Sequence, residues 1–231
     1  MRQLGRWLLW ALALVAVAFI LLQGWYGAHI WWWREHAPRE TAFMATRLSE
    51  LHARRPDARL AYKWVPYDRI SVELKRAVIA AEDAKFVEHE GFDWDGIQQA
   101  LDKNVRRGKV VAGGSTITQQ LAKNLFLSAQ RSYWRKAEEA LITLMLEALL
   151  DKRRILELYL NVVEWGDGVF GAEAASRRYF GASSAALTPE QAARLAAMAP
   201  NPRYYEKQPD ARGLTRKISI IMARMPAAEL P

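Results

Sequence analysis

The 231-residue chain has no cysteine, so no disulfide staples it together, and a domain of this length can hold its fold by packing alone. That absence is compatible with a compartment outside the cytoplasm. Other absences narrow the function classes. No internal repeat, zinc-ligand spacing, Walker loop or dinucleotide fingerprint occurs. No RNA- or DNA-binding module signature is visible either, and the basic residues are dispersed through helical segments. Strand-like alternation is confined to one short run, Ala58 to Pro66.

A long apolar run is present. Trp7 to Leu22 carries no charge, and with Gln23 to Trp33 the weakly polar stretch is long enough to cross a bilayer core of about 30 Å. Trp25, Tyr26, Trp31, Trp32 and Trp33 gather at its far end, where amphipathic rings favour the headgroup layer. Arg2 and Arg6 precede the run, as they would in a signal peptide, but no small-x-small site with a polar start follows Leu22. The reading is a retained anchor. Arg2, Arg6 and the amino terminus outweigh Arg34 and Glu35, so the positive-inside rule puts the N-terminus in the cytoplasm and the rest outside it. The expected organisation is an anchor over 1–33, an amphipathic juxtamembrane segment over 34–57 and one domain over 58–231. Apolar content of 51% excludes disorder, and the net charge of +8 suits anionic lipid or a membrane-bound phosphate better than nucleic acid in an anchored protein.

After residue 66 helix dominates. Ser71 can cap a helix on which Leu74, Val78, Ala81 and Phe86 recur at core spacing. Glu82 stands between Val78 and Phe86, so the acid points inward. His89, about two turns on, falls on the same side, and Gly91 closes the segment. A desolvated Glu has a raised proton affinity, the condition for acid–base work near neutral pH, whereas the bland alternative is a surface Glu paired with Lys75 or Lys85. The following residues, Phe92 to Gly114, mix Trp94, Ile97, Leu101, Val110 and Val111 with Lys103, Arg106, Arg107 and Lys109. They suit either a flap touching an anionic membrane or a solvated helix with a loop.

Gly113 and Gly114 lead to Thr116 and Gln119, which have capping-box spacing. A glycine turn feeding a helix N-terminus is a ready anion site, and Lys123 and Asn124 add polar donors. Trp134 to Leu150 is apolar almost all round and reads as the buried central helix. Glu138 and Glu139 enter near its start behind Arg131, Arg135 and Lys136, and periodicity does not choose between the two acids. Lys152 to Asn161 reads as an amphipathic helix, EWGDGVFG as a loop, and AEAASRRYF as a short helix ended by Gly181. Thr188, Pro189 and Gln191 start another helix that stops before Pro200; NPRYY reads as a rigid loop, and a basic helix runs from about Ala211 to Met225.

Together these segments resemble the peptidoglycan glycosyltransferases. Glu82, Asp83, Phe86, His89 and Gly91 match EDxxFxxHxG; Gly113 to Gln120 with Leu121, Lys123 and Asn124 match GGSTITQQLxKN; Arg135, Lys136 and Glu139 match RKxxE; Ile155 to Asn161 match ILExYLN. The resemblance spans about Val65 to Tyr205, and the Ala-Pro-Asn-Pro stretch is a looser match to the fifth motif. It implies a mainly α, lysozyme-like fold with a large lobe and a small membrane-dipping lobe. It implies lipid II as substrate, polymerised into glycan strands with release of polyprenyl pyrophosphate and inversion at the anomeric carbon.

The resemblance makes Glu82 the base that takes the acceptor 4-hydroxyl proton and puts Glu139, ahead of Glu138, on the donor side. Lys123, Arg131, Arg135 and Lys136 would neutralise the pyrophosphate. Ser115, Thr116, Gln119, Gln120 and Asn124 would line the donor cleft, with Asp83 and His89 organising it and Phe86 packing. No resident cofactor or protein-bound metal is evident; a divalent cation, Mg or Mn, on the pyrophosphate is compatible with the chemistry. The expected partners are lipid II, the nascent strand, the bacterial inner membrane and other cell-wall synthesis proteins, with no nucleic acid. The S-x-x-K, S-x-N and K-T-G set is missing, so no transpeptidase activity is expected. The rivals are a lysozyme-like lytic transglycosylase and an inactive membrane-anchored scaffold.

Overall fold

The computed structural model describes residues 2–109, 113–127 and 132–231. Its first element is a single 31-residue helix, α1 (Arg2–Trp32), exposed and apolar along most of its length and long enough to cross a membrane. The aromatic end of this helix does not lie wholly in a headgroup layer. Tyr26, Ile30 and Trp33 are buried, and the Tyr26 and Trp33 rings pack on Phe126 at 4.9 and 5.2 Å, while Trp25, Trp31 and Trp32 face outward. Tyr26, Ile30 and Trp33, spaced four and three residues apart, form one stripe, and here that stripe has a protein surface to cover.

The juxtamembrane segment folds as α2 (Ala42–Arg54), capped by Thr41; it buries Leu51 and places Met44 in the same core as Tyr26, Ile30 and Trp33. Arg47 on this helix makes a buried two-pronged pair with Glu164, Nε to Oε1 at 2.8 Å and Nη2 to Oε2 at 3.0 Å. Packing therefore runs without a break across the boundaries at 33/34 and 57/58.

The expected mainly α, lysozyme-like architecture is found, with a sheet of three very short strands. The strands are β1 (Ala61–Tyr62), β2 (Glu164–Gly166) and β3 (Val169–Phe170), in the order β1-β3-β2, with β1 parallel and β2 antiparallel to β3. EWGDGVFG is thus a tight hairpin, contrary to the loop expected. A strand pair this short leaves almost no period-2 signal beside its glycines.

The helices that carry the site are α3 (Val72–Glu82), α5 (Ile117–Phe126), α6 (Tyr133–Leu149) and α7 (Lys152–Val162). They are closed off by α8 (Ala172–Phe180), α9 (Pro189–Met198), α10 (Pro202–Lys207) and α11 (Arg212–Arg224). The capping boxes at Thr116 and Thr188 form as expected, and Gly181 ends α8 in the left-handed region. NPRYY, expected as a rigid loop, is the start of α10, because Pro202 occupies its first turn, where the missing N–H costs nothing.

The central buried helix is α7, not α6. Ile155, Leu156 and every residue from Leu158 to Val162 are buried in α7. In α6 the buried residues are Glu139, Ile142, Thr143 and Leu146, while Tyr133, Trp134, Leu141 and Leu144 are exposed. Apolar residues all round a helix indicate an apolar environment; α6 lies against α1 and leaves its other apolar side exposed. Between α3 and α5, α4 (Trp94–Arg107) buries only Ala100 and exposes Trp94, Leu101 and Val105. Val110 and Val111 lie outside the described residues.

Candidate active site

The site forms where the C-terminus of α3 meets the N-terminal half of α5. The α3 helix starts at Ser71, whose hydroxyl accepts from Leu74 N, and ends at Glu82. It does not continue to His89, and Ala81 is exposed. Asp83 leaves the helical conformation, and a run of turns follows. His89 reaches the site by that route, its Nε2 lying 2.9 Å from Asp83 Oδ1.

The second Asp83 oxygen accepts from Ile117 N at 2.9 Å, the first backbone N–H of α5. The anion at this helix N-terminus is therefore the protein's own carboxylate. Thr116 and Gln119 complete the cap, Gln119 N donating to Thr116 Oγ1 and Thr116 N to Gln119 Oε1. Thr116 Oγ1 also donates to Gly91 O at 2.7 Å. Both side chains were expected to line the donor cleft and both are buried in this cap; Thr116 also lines a cleft beside Glu82, whereas Gln119 lines none described there. Gly91 has φ +86°, and a Cβ there would stand 2.7 Å from Thr143 Cγ2, so the turn carrying His89 fits against α6 only as glycine. Phe86 is fully buried under the turn, as packing.

Glu82 Oε2 accepts from Gln120 Nε2 at 2.8 Å. Burial raises the proton affinity of Glu82, and Asp83 adds to the rise; Gln120, Lys217 and Lys123 oppose it without cancelling it. Neither Lys75 nor Lys85 pairs with Glu82: Lys75 donates to Tyr67 O and Lys85 to Asp95. Two small clefts, of about 170 and 180 Å³, meet at Glu82. One runs past Gly113, Gly114 and Ser115 above the α5 cap, and the exposed Ser115 lies on its wall. The other runs between α3, α9 and α11, with Lys217 and Arg224 on its wall.

These two cations were absent from the sequence reading. They sit about two turns apart on α11, expected only as a basic helix. The only available signal was that Lys217, Ile221 and Arg224 share a side of that helix, with Ile221 buried.

On the other side of Glu82, Lys123 projects from α5. Burial pulls its ammonium below the ordinary lysine value; Arg135 and Lys136 add to that, while Glu139 and Glu82 oppose it. Glu139 is buried and takes Arg135 Nη1 on Oε2 at 2.7 Å and Lys136 Nζ on Oε1 at 2.5 Å. Among the described residues Glu138 makes no such bridge. The choice between the two acids, open by periodicity, is thus made by packing. Arg135 Nε is buried without a partner among the described residues, which leaves a donor for a ligand. Asn124 is buried and donates to Gln120 O one turn back, so it supports the helix that presents Gln120. Arg131 lies outside the described residues.

The site therefore holds one partly buried, desolvated acid with raised proton affinity and cations from both α5–α6 and α11. A larger open groove of about 760 Å³ beside α2 shares no lining residue with either cleft.

Similarity to known proteins agrees with this arrangement. The transglycosylase family model matches residues 49–226. The biosynthetic peptidoglycan transglycosylase of Dechloromonas aromatica is 61% identical over the full length of both chains. That of Methylobacillus flagellatus is 64% identical over 95% of this chain and 96% of its own, and that of Thiobacillus denitrificans is 58% identical over the whole of both. With a matched domain that contains every one of the groups just described, this chain belongs to the transglycosylase family.

Proposed function

We propose that the protein is a peptidoglycan glycosyltransferase that polymerises lipid II into glycan strands and releases polyprenyl pyrophosphate. The observation that carries the reading is Glu82, desolvated yet flanked by Lys123 on one side and by Lys217 and Arg224 on the other. When lipid II serves as both donor and acceptor, each substrate brings a pyrophosphate, and a cationic wall on each side of the base matches that demand. A hydrolase acting on finished glycan would have no use for either wall.

In this mechanism Glu82 removes the proton from the acceptor 4-hydroxyl as that oxygen attacks the donor anomeric carbon from the face opposite the pyrophosphate. Attack from that face inverts the centre. General-base catalysis of this kind is worth roughly 10²- to 10⁴-fold. Gln120 holds one carboxylate oxygen of Glu82 and leaves Oε1 for the hydroxyl. Lys123, Arg135 and Lys136, arranged around Glu139, stabilise the charge that develops on the leaving pyrophosphate. Ser115 and Thr116 line the cleft above the α5 cap and Gln120 bonds Glu82 itself; Asp83, at the foot of that cleft, acts with His89, Gln119 and Asn124 by fixing the α3–α5 junction. Arg131, four residues ahead of Arg135 in the sequence, is placed with the pyrophosphate cations by the family resemblance. A divalent cation taking part would ride on the substrate's pyrophosphate oxygens, since no group of three metal-ligating side chains stands together among the described residues.

The helix α1 is consistent with an anchor. In our reading it spans the bacterial inner membrane with Arg2 and Arg6 on the cytoplasmic side, and the exposed apolar faces of α4 and α6 rest on the outer leaflet, where lipid II is presented.

The test is purified full-length protein supplied with lipid II. Strands and free polyprenyl pyrophosphate are expected, and Glu82→Gln is expected to abolish both. Fragmentation of intact peptidoglycan, or polymerisation undiminished in Glu82→Gln, would overturn the reading.

A further inference from the structure

The ILExYLN segment lies on α7, and two of its polar side chains serve the scaffold. Glu157 Oε1 accepts from Tyr67 N at 3.0 Å, and Asn161 brackets Val65, its Oδ1 accepting from Val65 N and its Nδ2 donating to Val65 O, both at 2.9 Å. Tyr159 does something else. Its ring is fully buried in the core, and its hydroxyl donates to Gln120 Oε1 at 3.0 Å, while the Nε2 of the same amide donates to Glu82 Oε2 at 2.8 Å.

An amide has one acceptor end and one donor end, so what binds one end decides what the other offers. With a hydroxyl donor on Oε1, Gln120 presents N–H to Glu82. Turned over, it would present a carbonyl oxygen to a carboxylate, which is repulsive. Burial, with the Glu82 and Asp83 charges adding, holds the Tyr159 hydroxyl well above the ordinary tyrosine value, so it stays protonated at every working pH. We propose that Tyr159 is a positioning residue for the general base: its buried hydroxyl locks the Gln120 amide in the orientation that donates to Glu82.

The proposal rests on Glu82 being the base. The charged groups that face Glu82 are Asp83 beside it, Lys123 on α5, and Lys217 and Arg224 on α11; Tyr159→Phe leaves all of them in place. The Gln120 hydrogen bond favours the ionised form of Glu82. Freeing the amide therefore lets Glu82 hold its proton to higher pH.

In lipid II polymerisation by the full chain, Tyr159→Phe should shift the acidic limb of kcat to higher pH. Below pH 7 kcat should fall roughly two- to tenfold with little change in KM. In a Gln120→Met background the same substitution should add nothing, because the relay is already cut. Tyrosine fluorinated at ring position 3, installed at 159, keeps the shape with a stronger donor and should move the limb the other way; it carries the test if Tyr159→Phe does not fold. A limb that stays put in the folded phenylalanine variant or in the fluorinated one, or effects that add in the double variant, would overturn the relay. Failure of the base assignment looks different: Glu82→Gln would then remain active.

Discussion

Glu82 is subject to opposite demands from folding and from chemistry. The unfolded chain gives up its proton near pH 4.5, while the folded chain holds it to higher pH, so the fold loses stability as pH rises through that interval. Glu82→Gln should therefore leave the protein at least as stable at pH 7, as a thermal melt would show, while removing activity; a lower melting temperature would trace the lost activity to folding instead. Glu173 has the opposite sign. Burial works against its charge, but Ser184 N and Oγ, Arg177 and Ser183 together outweigh it and bring its pKa down to about 2 from 4.5. Its contribution, about 3 kcal/mol from the shift, is fully present above pH 4.5 and is lost as pH falls towards 2. In Glu173→Gln the stability profile over that acid range should flatten; an unchanged profile would remove Glu173 from the acid response.

At the scale of elements, the site is a junction of helix ends. The end of α3 supplies Glu82, Asp83 ties it to the first turn of α5, and α11 closes the far side with Lys217 and Arg224. Charge-assisted contacts are worth roughly 1.5–3 kcal/mol each, so losing both in Lys217→Ala with Arg224→Ala should lower kcat/KM for lipid II by roughly 10²- to 10⁴-fold with the fold intact. If α11 is only a solvated basic face, the double variant will polymerise lipid II at the wild-type rate. The helix starts were legible because capping is local: Ser71, Thr116 and Thr188 bond within three residues of themselves. The end of α3 was not, since Asp83 leaves the helix for partners in α5 and at His89.

For the whole molecule, the anchor and the domain share a core. Ile30 is fully buried and Tyr26 and Trp33 nearly so, against the Phe126 end of α5. Each fully buried apolar side chain is worth roughly 1.5–3 kcal/mol. Deleting residues 1–22 should release the protein from membranes with its melting temperature kept, apart from residual binding through α4 and α6. Deleting 1–33 should lower that temperature by removing three core side chains. Equal melting temperatures for the two truncations would show that the aromatic end serves the bilayer alone.

Local pattern was enough to reveal the long apolar N-terminal helix, most helix starts and the family motifs, because apolar runs and capping are properties of neighbouring residues. Three matters depended on residues distant in the chain. Packing against the rest of the protein selected Glu139 over Glu138. It made α7 the buried helix and left α6 an exposed apolar face. It also brought Tyr159, Gln120 and Glu82 into one line from three separate segments. A hydrogen bond across 38 or 39 positions leaves no period in the sequence; only the folded chain brings those atoms within 3 Å of one another.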